Sequence, residues 1–219
     1  MPEFAKRMEY MAASADVIRG LFSAMTDPQT ISFGGGAPAT EALPVEEIHA
    51  LANEVLTREA RGCEALQYGA PAGLKQLREI VADKLLAPKG VDARADDIII
   101  VNGGLETMNL LCQVFINPGD VILVESPTFV HCVEIFEMFE ARCVGCRMDD
   151  FGLVMEDVEE KIRKFHPKMV YVIPTFQNPT GKTLPAARRR KLAELGSAYD
   201  VLILEDDPYR DLRYSGEEL

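Results

Sequence analysis

Hydrophobic positions change their period near residue 96. Upstream they recur at three- and four-residue spacing: Val45, Ile48, Leu51, Ala52, Val55 and Leu56 behind Pro44, then Leu74, Leu77, Ile80, Val81 and Leu85. This spacing predicts two amphipathic helices, the first opened by Pro44. A short amphipathic helix is also expected over 15–26, "ADVIRGLFSAMT". Between these segments lie "SFGGGAPATEALP" and "LQYGAPAG", which carry too many helix breakers to be anything but loops.

From Asp96 onward, short apolar runs alternate with helical stretches. "DIIIV" precedes "LETMNLLCQVFI", and "DVILVE" precedes a helix around "FVHCVEIFEMFE". Then come "RCVGCRM", "MEDVEEKIRKF", "KMVYVIP", "AARRRKLAELGSAY" and finally "VLILE". Strands separated by helices of this length predict a largely parallel sheet with right-handed crossovers. Continuous apolar runs such as "DIIIV", "VILV" and "VLIL" suit strands covered on both faces. The expected fold class is α/β.

Composition narrows the function. With 219 residues, 47% of them hydrophobic, the chain can bury one sizeable core, or one domain and part of another. A net charge of −12 argues against a nucleic-acid or anionic-membrane partner. No apolar run reaches the roughly 18 residues of a membrane span, and the opening "MPEFAKRMEYMAAS" lacks a signal-peptide core. Five cysteines without a secretion signal read as reduced thiols, so a cytoplasmic location is expected. Cys143 and Cys146 form a lone C-x-x-C. A zinc site wants a second pair, so these read as strand cysteines and no metal is expected.

Ligands of open α/β sheets bind beyond the carboxyl ends of the strands, and three such ends carry unusual residues. In "VNGGLETMNL", Gly103 and Gly104 stand between a strand and a helix, where free N–H groups favour an anion such as phosphate; a glycine pair alone is more often a plain turn. In "YVIPTFQNPTG", Asn178 follows a buried strand and is held by Pro179 and a turn ending at Gly181. In "LEDDPY", three acids follow an apolar strand. A solvated acidic loop is the bland account, but Asp206 is best placed to point inward, with Tyr209 a turn on. Together these residues ask for a ligand with a phosphate at one end, a basic ring nitrogen at the other, and an oxygen between them facing Asn178 and Tyr209. Phe129, in "ESPTFV", is available to stack on the ring.

The chain resembles fold-type I pyridoxal-phosphate aminotransferases of class I/II, most of all the 2-aminoadipate, kynurenine and aromatic aminotransferases and the aminotransferase-like domains of MocR regulators. The marks are "QNPTGKTL" and "EDDPY", with "FGGGAP", "LQYGAPAGLKQLRE" and "NPGDVILVESPTF" in the same order. The resemblance implies a three-layer α/β/α large domain with a mostly parallel sheet. Residues 1–45 would form an N-terminal helix and substrate-covering loop, and 46–219 the first part of the large domain. It further implies that Asp206 pairs with the cofactor's pyridine nitrogen, Asn178 and Tyr209 hold its phenolic oxygen, and Phe129 stacks on the ring. Backbone at Gly103, Gly104 and Leu105 would hold the phosphate. Tyr68 would reach the phosphate of a neighbouring subunit, implying a homodimer with shared sites. Gly35 and Gly36 would cover the substrate.

The phosphate loop departs from the family pattern. Relatives often follow the first glycine with a hydroxyl or amide side chain, where this chain has Gly104, Leu105 and Glu106. The expectation is therefore binding through backbone alone, with Glu106 facing away. The family's Schiff-base lysine follows later, so the resemblance implies that it lies beyond Leu219, together with the C-terminal small domain. No catalytic residue is then expected among these 219, and the chain alone is expected not to transaminate. Lys182 reads as solvent-facing, and "RRRK" at 188–191 as a solvated helix face.

The implied activity is transfer of an amino group between an α-amino acid, aromatic or 2-aminoadipate-like, and a 2-oxo acid. Two alternatives stand beside it: another reaction on the same scaffold, such as a β-lyase, and a non-catalytic domain that binds pyridoxal phosphate for regulation.

Overall fold

The computed structural model describes residues 3–5, 7–8, 20, 29–31, 36, 38–59 and 61–217. Most of the helix expected over 15–26, and Gly35, lie outside the described residues. The chain divides into two compact units: Asp16–Val101, and Asn102–Leu219 together with Met1–Ala15.

The smaller unit contains α1 (Val45–Val55), a single turn α2 (Gly62–Ala65) and α3 (Lys75–Ile80), which continues through a wider π turn over Val81–Leu86. Pro44 is the residue before the first turn of α1, and Glu46 and Glu47 place negative charge at the positive end of its dipole. Arg78 is buried, its guanidinium donating to the carbonyls of Gly73 and Ala95.

The expected strand at "DIIIV" is not a strand. Ile98 is extended, but residues 98–101 join no ladder among the described residues. An apolar run satisfies strand propensity, yet a ladder also needs a neighbouring edge. Here the Ile100 N–H bonds the Ala72 carbonyl at 3.0 Å, so the run docks on the turn at 70–73 instead. Gly73, at φ +90, makes that approach possible: a Cβ there would meet Ile100 at 2.7 Å.

The larger unit holds α4 (Gly104–Phe115), β1 (Val121–Glu125), α5 (Val130–Met138), β2 (Arg142–Cys146), β3 (Met148–Asp149), β4 (Gly152–Leu153), α6 (Met155–Phe165), β5 (Met169–Val172), α7 (Ala186–Tyr199) and β6 (Leu202–Glu205). The sheet order is β2-β1-β5-β6, parallel throughout, with β3 and β4 as a separate antiparallel hairpin.

Strand alternation sorts the interior into two cores. Leu123, Cys146, Val170 and Val172 belong to a cluster with Val158 and Ile162 of α6 and Leu192 and Leu195 of α7. Ile122, Val124, Met169, Tyr171 and Ile173 belong to the other, with Met108 and Cys112 of α4 and Cys132 and Phe136 of α5. Helices thus cover both faces, giving the expected three layers. The same alternation answers the C-x-x-C question: Cys146 belongs to the first core and Cys143 packs on the second. Two thiols divided by a sheet share no metal and no disulfide, and burial pushes both up to about 12.

α7 approaches β6 closely at Gly196. A Cβ there would lie 2.9 Å from Ile203 Cγ1 and 3.1 Å from the Val201 carbonyl oxygen. Two effects of Gly196→Ala oppose each other. Helix propensity contributes about 1 kcal/mol in favour, whereas overpacking against a backbone atom costs roughly 1–3 kcal/mol. The clash is expected to win, so the urea unfolding midpoint of Gly196→Ala should fall; a rise would refute the close approach.

Candidate active site at the sheet crevice

The chain leaves β1 for β2 on one side, while β5 pairs with β1 on the other. Neighbouring strands whose connections depart in opposite directions open a crevice beyond their carboxyl ends. Here the β1–β5 ladder pairs Ile122 with Met169 and Leu123 with Val170. Beyond it a side chain takes over. Glu125 Oε2 accepts the Ile173 N–H at 3.1 Å and Gln177 Nε2 at 3.0 Å. Gln177 Nε2 also donates to the Pro127 carbonyl at 3.0 Å, and its Oε1 accepts the Thr180 N–H at 2.9 Å and hydroxyl at 2.6 Å. Both residues are buried, Glu125 at 3% exposure and Gln177 at 2%. The Asn178–Gly181 turn is therefore tied to the end of β1 through a satisfied polar network.

A cavity of about 180 Å³ lies in this crevice, lined by Gly104, Leu105, Phe129, Asn178, Asp206 and Tyr209, with Met108, Cys132 and Ile173 supplying apolar wall. The expected residues converge from four segments. Gly103, at φ +93, turns the chain into α4, and no side chain caps that helix. Its first N–H groups have no intrahelical acceptor. Glu106 does not line the cavity; its carboxylate accepts the Asn102 N–H just ahead of the helix. Phe129 directly precedes α5, its ring edge-on to His131 at 5.2 Å.

Asp206 is selected from its acidic neighbours by strand parity. The Asp206 N–H bonds the Val172 carbonyl at 2.9 Å, extending the β5–β6 register by one residue. Two residues after Leu204, its side chain falls on the face of Tyr171 and Ile173. Glu205 and Asp207 both pair with Arg210 instead. The Tyr171 hydroxyl donates to Asp206 Oδ2 at 2.7 Å. Asn178 Nδ2 donates to the Tyr209 hydroxyl at 3.3 Å. Tyr209 thus accepts one bond and keeps its own proton to donate.

Other expected residues lie elsewhere. Tyr68 belongs to the smaller unit and is fully exposed, and Gly36 is exposed with open space around it. Lys182 is not free in solvent: its Nζ donates to the Asp149 carbonyl at 2.6 Å. The basic run at 188–191 is split: Arg190 and Lys191 are exposed, as expected of a solvated face, while Arg188 and Arg189 are half-buried. Arg188 pairs with Asp149 at 2.6 Å, Arg189 donates to the Leu184 and Pro174 carbonyls, and Lys191 faces Glu159 at 3.8 Å. Among the described residues, no group of His, Cys, Asp or Glu could hold a metal ion, and no helix is long and apolar enough to cross a membrane.

Sequence reasoning missed Glu125, Gln177, Tyr171 and Cys132. The signal for two of them was present: a carboxylate ending "VILVE" and a phenol inside "MVYV" are polar groups in buried strands, and each demands a partner.

Residues 28–218 match the family model of aminotransferase class I and II. The chain belongs to this family. Among its aminotransferase relatives, the aromatic-amino-acid aminotransferase 1 of Thermococcus litoralis is 40% identical over 94% of this chain and 50% of its own length. The kynurenine aminotransferase of Pyrococcus horikoshii, solved in complex with PMP, superposes with a TM-score of 0.89 at 38% identity, covering 98% of this chain and 53% of that one. The alpha-aminoadipate aminotransferase of Thermus thermophilus, complexed with N-(5'-phosphopyridoxyl)-L-leucine, gives 0.85 at 30% identity, covering 99% and 52%. The chain spans about half the length of these aminotransferases.

Burial pushes the Glu125 carboxyl from its ordinary 4.5 up to about 7, outweighing the bonds from Gln177 and Ile173. A carboxyl raised in the folded state stabilises the fold fully below pH 4.5, and that contribution is lost as pH rises through 7. The loss is roughly 3 kcal/mol. Glu125→Gln keeps an oxygen for Ile173 and Gln177 but cannot ionise. Unfolding free energies at pH 5 and pH 8 should therefore differ less in Glu125→Gln than in the parent protein. Equal pH dependence would show that Glu125 is ionised throughout.

Proposed function

We propose that this chain carries the pyridoxal 5'-phosphate cradle of an aminotransferase that moves an amino group between an α-amino acid, aromatic or 2-aminoadipate-like, and a 2-oxo acid. The observation that carries the reading is the convergence on one cavity of Asp206, the Asn178–Tyr209 pair and the start of α4. The donor set fits the cofactor. A carboxylate suits a protonated ring nitrogen, two donors suit a phenolate oxygen, and an uncapped helix start suits a phosphate. The phosphopyridoxyl ligand and PMP bound in the two solved relatives support the same choice.

When bound, pyridoxal phosphate supplies the electron sink for amino-group transfer. The protein's part is placement and charge. Asp206 accepts the ring N–H and keeps that nitrogen protonated. Asn178 and Tyr209 hold the phenolic oxygen, with Tyr209 donating the proton it retains. Phe129 packs against the ring. Backbone at Gly103, Gly104 and Leu105 holds the phosphate, with the Glu106 carboxylate spent on Asn102. Gly35 and Gly36 belong to the substrate-covering segment of 1–45, ahead of a large domain beginning at 46. Tyr68 reaches the phosphate of a second subunit, so the working form is a homodimer, located in the cytoplasm.

Equilibrium dialysis against pyridoxal phosphate tests the cradle. Saturable uptake is expected, weakened roughly tenfold or more in Asp206→Ala. Absence of uptake, or an unchanged Asp206→Ala, would sink it. In the complete protein, aromatic amino acids or 2-aminoadipate should be the preferred amino donors in an assay of 2-oxo acid consumption. Better turnover of a donor from neither class would discard the substrate assignment.

A further inference from the structure

The cavity's carboxylate is backed by a residue that no part of the cradle accounts for. Tyr171 sits in the middle strands of the sheet with no exposed surface, its ring held edge-on against Phe136 at 5.6 Å and 74°. Its hydroxyl reaches Asp206 Oδ2 at 2.7 Å, across 35 residues of sequence. The Cys132 thiol, also buried and part of the cavity wall, lies beside the same hydroxyl.

We infer that Tyr171 is the positioning residue for Asp206, fixing one carboxylate oxygen so that the other is presented to the ring nitrogen as an ionised acceptor. This rests on the pyridoxal-phosphate reading of the cavity. A phenol this deeply buried, beside Cys132 and Asp206, holds its proton far above the ordinary tyrosine range. The hydroxyl therefore acts only as a donor towards the carboxylate. A hydrogen bond to the charged form of an acid favours that form. It also stops the carboxyl group from rotating or taking the proton from its partner. Without the hydroxyl, the carboxylate loses its fixed donor and its orientation, and its hold on the ring N–H weakens.

The test loads the protein, as wild type, Tyr171→Phe and Asp206→Ala, with pyridoxal phosphate carrying a 15N label in the ring. The nitrogen resonance is recorded at one fixed pH, together with cofactor affinity by dialysis. In the wild type the resonance should sit at the protonated-ring position. In Tyr171→Phe it should move towards the unprotonated position, with affinity weakened about tenfold. The phenylalanine differs by one oxygen, and an unfolding midpoint near that of the wild type confirms that the fold is kept. A purely structural role would leave the resonance in place, so an unmoved resonance in a folded Tyr171→Phe overturns the inference. Failure of the wild type to bind cofactor is a different result: it strikes at the cradle itself.

Discussion

The crevice depends on the bond between Glu125 and Gln177. Parallel strands must separate to admit a ligand, and separation strands backbone groups that the ladder would have paired. Glu125 replaces the missing carbonyl for Ile173, and Gln177 converts the same carboxyl into an anchor for the turn that carries Asn178. An unpaired N–H buried at that depth would cost about 1–3 kcal/mol. The opening is therefore compatible with a close-packed sheet only because two polar side chains bridge it. The buried carboxyl is the cost of that bridge, visible in its raised proton affinity.

Around the bridge, the two cores have different tasks. The α6–α7 core is apolar and continuous, and the close approach of α7 to β6 at Gly196 fixes the strand that delivers Asp206. The α4–α5 core includes Tyr171 and Cys132, and its edge forms the cavity wall. On that face the Tyr171 hydroxyl, inside β5, and Asp206, just past β6, are bonded to each other. The side of the sheet that stabilises the unit is thus separated from the side that binds.

Much of this was legible in the sequence. Alternating apolar runs and helical periods located α4 to α7 and the strands of the sheet to within a residue or two, because buried parallel strands and amphipathic helices leave different periods. The motif "QNPTG" and the acids of "EDDPY" pointed to the cavity. The run "DIIIV" misled because periodicity reports burial, not pairing, and its hydrogen bond goes to a turn that apolar spacing does not encode. Charge alone kept Glu106 out of the anion site, but it did not name the carboxylate's partner, the Asn102 N–H. Tyr171 was hidden for another reason: its role depends on the β5–β6 register, which brings together residues 35 apart.

One directional detail restricts what the cavity can accept. Asn178 donates to the Tyr209 oxygen, so a second amide proton and the phenolic proton remain for a ligand. The pair works as a one-way valve for lone pairs. An anionic or ether-like oxygen can accept from both, whereas an ammonium or amide N–H in the same position leaves those two donors unmet. Shape alone would admit either group; the sense of a single hydrogen bond separates them.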